Sequence, residues 1–196
     1  ILANTDADEE QALANLGKLS PAPLASKSLA EAITPGNYDT GLEQLRGCDL
    51  IIEAVFEQRQ LKAQVTHEAE PMLAAGGVFA SNTSTLPIGG LAQASAAPQR
   101  FVGLHFFSPV HKMKLVEIIR GQATDDETVA RAYDYVLALG KTPIVVNDSR
   151  GFFTSRVFGT FVMEGIAMLG EGIPAAAIEN AGIQCGMPVG PLAVID

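Results

Sequence analysis

His105 and Glu117 are the residues whose types and spacing best suit acid–base chemistry. His105 stands between Leu104 and Phe106-Phe107, and an imidazole can take up or release a proton near neutral pH. Glu117 is the one charge in Leu115-Val116-Glu117-Ile118-Ile119. A carboxylate in such a run points into apolar surroundings, where it is costly unless paired. If the two segments are neighbouring strands, His105 is its partner, and the carboxylate then fixes the imidazole tautomer and stabilises the imidazolium. The competing readings are a core histidine with an ordinary hydrogen bond and a glutamate on an exposed strand edge.

Two further groups could take part. Asn82-Thr83-Ser84-Thr85 is a hydroxyl-rich turn after the apolar run Val78–Ser81. Such residues cap their own backbone, or Ser84 and His105 could serve a serine hydrolase, although no G-x-S-x-G elbow occurs. Glu53 and Glu57 flank Ala54-Val55-Phe56, with Lys62 beyond. These charges read either as a surface pair of little energetic worth or as the edge of a cofactor site, since ligands of open α/β sheets bind beyond the strand ends. None of the 19 glycines forms G-x-G-x-x-G. Cys48 and Cys185 form no CxxC pair or Cys/His cluster. They read as reduced thiols, with no metal expected.

The elements that must position these residues follow from apolar patterning. Asp49–Val55, Val78–Ser81, Phe101–Phe107, Leu115–Ile119 and Pro143–Val146 read as strands. Leu61, Val65, Ala69, Met72 and Leu73 predict a helix over 57–75 that stops at Gly76-Gly77. A short helix should begin at Pro87. Another over 125–139 has a capping box of Thr124 and Glu127 and ends at Gly140. Upstream, Ile1–Asn4 reads as the tail of a strand. A helix carrying Ala12, Leu13 and Leu16 follows, then short helices near Leu29–Ile33 and Gly41–Leu45. Alternating strands and helices imply an α/β domain with a largely parallel sheet. From Asp148 the pattern turns helical. Phe153, Val157, Phe161, Val162, Ile166 and Leu169 trace one stripe, and Pro174–Cys185 a second helix. The expected units are 1–148 and 149–196.

Composition narrows the function. Of 196 residues, 47% are hydrophobic and 18% charged, which excludes intrinsic disorder. Thirteen Lys and Arg against 22 Asp and Glu argue against non-specific nucleic-acid or anionic-membrane binding. No apolar run is long enough to span a membrane.

Several tracts together resemble the L-3-hydroxyacyl-CoA dehydrogenase family. They are Ala80-Ser81-Asn82-Thr83-Ser84-Thr85-Leu86, Gly103-Leu104-His105-Phe106-Phe107-Ser108-Pro109, Met113-Lys114-Leu115-Val116-Glu117-Ile118-Ile119, Leu139-Gly140-Lys141-Thr142-Pro143 and Gly151-Phe152-Phe153. The tract Val145–Arg156 is most similar to the dehydrogenase part of bacterial multifunctional fatty-acid oxidation proteins. The resemblance implies a Rossmann-type NAD-binding domain, truncated at its N-terminus, followed by the start of an all-α dimerisation domain. The missing glycine loop would then precede Ile1, and Asn4 or Asp6 would stand near the residue that binds the adenosine ribose.

The resemblance also implies roles. His105 matches the catalytic histidine and Glu117 its carboxylate partner. Ser84 matches a serine near the substrate oxygen and the nicotinamide. Val55, Phe56, Glu57 and Lys62 match positions lining NAD. Ser108 and Ser155 fall where many relatives carry asparagine, beside the cofactor and in the catalytic site. The implied activity is NAD-dependent oxidation of L-3-hydroxyacyl-CoA to 3-ketoacyl-CoA in fatty-acid β-oxidation. The expected setting is cytoplasmic, in a homodimer formed through the helical domain or in a larger multifunctional chain. The alternative is a non-catalytic, structural member of the same fold.

Overall fold

Short apolar runs separated by helices make one mixed sheet. The computed structural model of the chain describes residues 2–3, 11, 14, 18, 27–39 and 41–194. Ala12, Leu13 and Leu16, like Asn4 and Asp6, lie outside the described residues. Strands β1 (Leu2–Ala3) and β2 (Gly36–Asn37) pair in parallel as a small sheet of their own. The main sheet has the order β3 (Cys48–Glu53), β4 (Leu73–Ser81), β5 (Phe101–Phe106), β6 (Leu115–Arg120), β7 (Thr142–Asn147). β3, β4 and β5 run parallel, β6 runs antiparallel to β5, and β7 parallel to β6.

Among the described residues the α-helices include α1 (Arg59–Ala69), α2 (Ile88–Leu91), α3 (Asp126–Ala138), α4 (Thr154–Gly170) and α5 (Ala175–Gln184). Period-two alternation sorts the sheet into two faces. On one, Val78, Ala80, Val102, Leu104, Val116 and Ile118 meet Ala132 and Val136 of α3 in a closed apolar core. On the other, Phe79 stacks on Phe101 with ring centroids 5.6 Å apart, and Ile88 lies over Gly103. His105 and Glu117 share this second face with Gly103 and Ile119.

Helix boundaries differ from the sequence expectation at the end of α1 and the start of α3, and β3 and β4 each begin earlier, at Cys48 and Leu73. α1 ends at Ala69, not near residue 75, because Pro71 has no N–H to continue the ladder. A short 3-10 turn, Glu70–Met72, follows, and the chain enters β4 at Leu73. Gly76-Gly77 is therefore no helix stop. It lies in an irregular part of the β3–β4 ladder, where Cys48 pairs with Leu73 but Leu50 with Val78, and Gly76 takes a positive φ of 78°. The N-cap of α3 is Asp125, whose carboxylate accepts from Thr128 N at 2.7 Å. Thr124 is instead buried, donating to Phe101 O and accepting from Gly121 N.

The contacts divide the chain into Ile1–Asp148 and Ser149–Asp196. In the second unit α4 and α5 pack with the segment after them. The Glu179 carboxylate accepts from Leu192 N and Ala193 N. Much of the apolar stripe on α4 is exposed, with Val157 at 53%, Ile166 at 41% and Leu169 at 47%.

Gly103 is required by close approach. A Cβ there would lie 2.8 Å from both Ile119 Cβ and Ile88 Cδ1. Gly103→Ala should therefore destabilise the domain by roughly 1–3 kcal/mol, the usual cost of overpacking, read as a lower urea midpoint at unchanged slope.

Candidate active site

The antiparallel register sets His105 directly opposite Glu117, so both side chains rise from the same face of the sheet. His105 Nδ1 lies 2.7 Å from Glu117 Oε2. Glu117 is wholly buried and His105 is 7% exposed. The pair is a carboxylate–imidazole dyad. The exposed strand edge is thus not where Glu117 sits. Phe107 leans on the imidazole, with ring centroids 4.4 Å apart. With Nδ1 engaged by the carboxylate, the ring nitrogen that Glu117 does not engage is Nε2.

A second cluster lies at the carboxyl ends of β3 and β4. Lys62, on α1, is 1% exposed. Its ammonium donates to Glu53 Oε1 and Oε2 at 3.1 and 3.0 Å and to Val55 O at 3.2 Å, and Glu57 Oε2 lies 3.4 Å away. Glu53 also accepts from Ser81 Oγ and, at 3.2 Å, from Val55 N. The surface-pair reading of Glu57 and Lys62 is therefore corrected, since the lysine is a buried cation whose main partner is Glu53. A buried charge of this kind requires such an acceptor cage, because the desolvation cost is several kcal/mol. The helical period held a sign of it: Lys62 sits on the buried face of α1 with Val65, Thr66 and Ala69, at i, i+3, i+4 and i+7.

Glu57 organises the hydroxyl-rich turn. Its Oε1 accepts from Thr83 Oγ1, from Ser84 N at 3.0 Å, and from Thr85 N and Oγ1 at 2.9 and 3.2 Å. Desolvation opposes ionisation, but the hydrogen bonds of Thr83 and Thr85 and the Lys62 charge outweigh it and hold the carboxyl at about 2. Thr83 Oγ1 accepts in turn from Leu86 N at 2.9 Å. The turn is thus both self-capped and anchored from the opposite strand end.

The remaining sequence candidates fall as follows. Ser84 is exposed, and so is Phe56, at 76%. Val55 is half-buried in the turn after β3. Ser108 is exposed beyond β5, joined to Pro109 by a cis peptide bond. Ser155 is the second residue of α4, in the second unit. The structure thus joins His105 to Glu117, and Glu57 and Lys62 to the turns holding Ser84 and Val55. Sequence reasoning passed over Asp148, whose carboxylate accepts from Ile88 N and Gly89 N at 2.8 and 2.7 Å, and the bracing role of Asn82. Among the described residues no group of three or more His, Cys, Asp or Glu could hold a metal ion.

Breaking the buried pair from one side should be costly. Lys62→Met should lower stability by about 3–5 kcal/mol, whereas Lys62→Met combined with Glu53→Gln should cost clearly less, as no charge is left stranded. Equilibrium denaturation of the three proteins measures the difference. The lowered folded-state value of Glu57 makes its stabilisation complete above the ordinary carboxylate range and progressively lost as pH falls toward about 2. Glu57→Gln should flatten that acid limb of the stability–pH curve.

Residues 3–149 match the model of the 3-hydroxyacyl-CoA dehydrogenase NAD-binding domain, and residues 151–196 that of the family's C-terminal domain. Among solved structures, (S)-3-hydroxybutyryl-CoA dehydrogenase PaaH1 from Ralstonia eutropha is 33% identical with a TM-score of 0.88, covering 98% of this chain and 71% of its own. FadB2 of M. tuberculosis is 28% identical with a TM-score of 0.85, over the same shares. The dehydrogenase part of multifunctional enzyme 1 from C. elegans is 26% identical with a TM-score of 0.63, covering 94% of this chain and 42% of its own. With its Rossmann-type sheet and short helical unit, the chain belongs to the 3-hydroxyacyl-CoA dehydrogenase family, a family of NAD-dependent oxidoreductases.

Proposed function

We propose that the protein oxidises an L-3-hydroxyacyl-CoA reversibly to the 3-ketoacyl-CoA, with the His105–Glu117 pair as its acid–base apparatus. The observation that carries this reading is the 2.7 Å contact between His105 Nδ1 and a fully buried Glu117 carboxylate. A buried carboxylate against one ring nitrogen fits a histidine that must become charged and neutral again in each turnover.

The residues present fit NAD. Parallel strands end together at β3, β4 and β5, the edge at which open α/β sheets hold dinucleotides. There Phe56 exposes its ring beside a polar, hydroxyl-bearing turn. Val55, Phe56, Glu57, Ser84 and Ser108 would line the cofactor. Lys62 supports it indirectly, since its ammonium is spent on Glu53, the Val55 carbonyl and Glu57. The cofactor, when bound, supplies the hydride acceptor. In the direction of oxidation His105 Nε2 takes the hydroxyl proton, Glu117 stabilises the resulting imidazolium, and Ser84 donates a hydrogen bond to the reacting oxygen.

The same reading places the enzyme in fatty-acid β-oxidation in the cytoplasm. It works there as a homodimer through the helical unit or within a larger multifunctional chain. The exposed apolar side chains of α4 support association through that unit, and no helix among the described residues is long and apolar enough to cross a membrane.

NADH-dependent reduction of acetoacetyl-CoA, followed at the nicotinamide absorbance, tests the assignment. His105→Ala should lower kcat by roughly 10²–10⁴-fold, the range for losing a general acid–base, with NADH affinity unchanged. Glu117→Gln should lower kcat with KM little altered. Full activity of the His105 variant overturns the assignment.

A further inference from the structure

Asn82 is the first residue beyond β4, and the function above gives it no task. The β4–β5 ladder ends at Ser81 opposite Gly103. β5 continues for three residues, Leu104, His105 and Phe106, which pair with β6 through Ile118, Glu117 and Val116. On the β4 side the Asn82 side chain takes over: its Oδ1 accepts from Phe106 N at 2.9 Å. Its own backbone N donates to Glu53 O at 2.8 Å, the last residue of β3. One half-buried residue thus ties together the carboxyl ends of three strands, one peptide unit from the catalytic imidazole.

We propose that Asn82 is a positioning residue for the dehydrogenase reaction, its carboxamide serving as the missing rung of the β4–β5 ladder and setting where the His105–Glu117 pair lies relative to the β3–β4 edge. The inference rests on the reading of that pair as the acid–base apparatus. The geometry explains why a side chain is needed. Past Gly103, β5 is held by backbone pairing along its β6 edge alone, while β6 stays paired with β7, and a strand held on one edge twists more freely than one held on both. The contact between His105 and Glu117 joins β5 to the strand it stays paired with, and would survive such a twist. What would change is the position of the dyad against the turn of Ser84 and the cofactor edge. Displacements of about 1 Å at a reacting centre cost on the order of 100-fold in rate.

Alanine removes the acceptor, and aspartate keeps an oxygen at the same reach. Asn82→Ala should lower kcat for acetoacetyl-CoA reduction by about 10–100-fold. The KM for NADH and the midpoint of the kcat–pH profile should stay unchanged, because neither the cofactor edge nor the dyad is broken. Phe106 amide hydrogen exchange, read by NMR, should quicken in the same variant. Asn82→Asp should restore both the slow exchange and most of kcat. An Asn82→Ala protein with kcat within twofold of the parent overturns the inference while leaving the functional reading intact. Unchanged Phe106 exchange overturns it as well, whatever the rate. A parent protein that does not reduce acetoacetyl-CoA overturns the functional reading and the inference with it.

Discussion

The site depends on the register between β5 and β6. His105 and Glu117 meet because they are direct partners in an antiparallel ladder, and side chains alternate faces with a period of two. A slip of one residue would turn Glu117 toward the face where Val116 and Ile118 pack with Val102, Leu104 and helix α3. It would strand a carboxylate in a closed apolar core, at a cost of several kcal/mol. The same slip would turn Val116 and Ile118 out of that core. Core packing and the dyad therefore enforce one another. The hydrophobic face fixes the register, and the register delivers the carboxylate to the imidazole.

Charge at the strand ends works differently. Nothing in a ladder obliges Lys62 to be buried. It is held because Glu53, the Val55 carbonyl and Glu57 surround its ammonium. The result is a braced corner where β3 gives way to α1. From it Glu57 reaches across to the turn after β4, while Asn82 reaches both β3 and β5. Hydrogen bonds from side chains thus take over where the backbone ladder stops.

The parts of this arrangement visible in the sequence are those that violate a pattern. A single glutamate in a five-residue apolar strand and a histidine in another stand out because burial of either is costly alone. The strands themselves are legible as short apolar runs. The end of α1 was obscured because Leu73 continues the helical period, and Pro71 outweighs it through a missing donor. The cap of α3 moved by one residue because Thr124 and Asp125 are both good caps; which is used depends on Phe101 O lying close to Thr124. The bracing by Asn82 has no local signature, since its partners Glu53 and Phe106 are remote in sequence.

Placement on strands rather than loops also fixes the dyad in space. Glu57 holds its turn with a carboxyl near 2, so that anchor stays ionised throughout the near-neutral range in which imidazoles exchange protons. The hydroxyl turn and the braced corner keep one geometry across that range. The strand ladder leaves the His105 imidazole little freedom to swing away from the Glu117 carboxylate. A histidine on a mobile loop would have to be recaptured in each turnover. Here the position of the imidazole is inherited from the sheet, which holds it opposite its carboxylate.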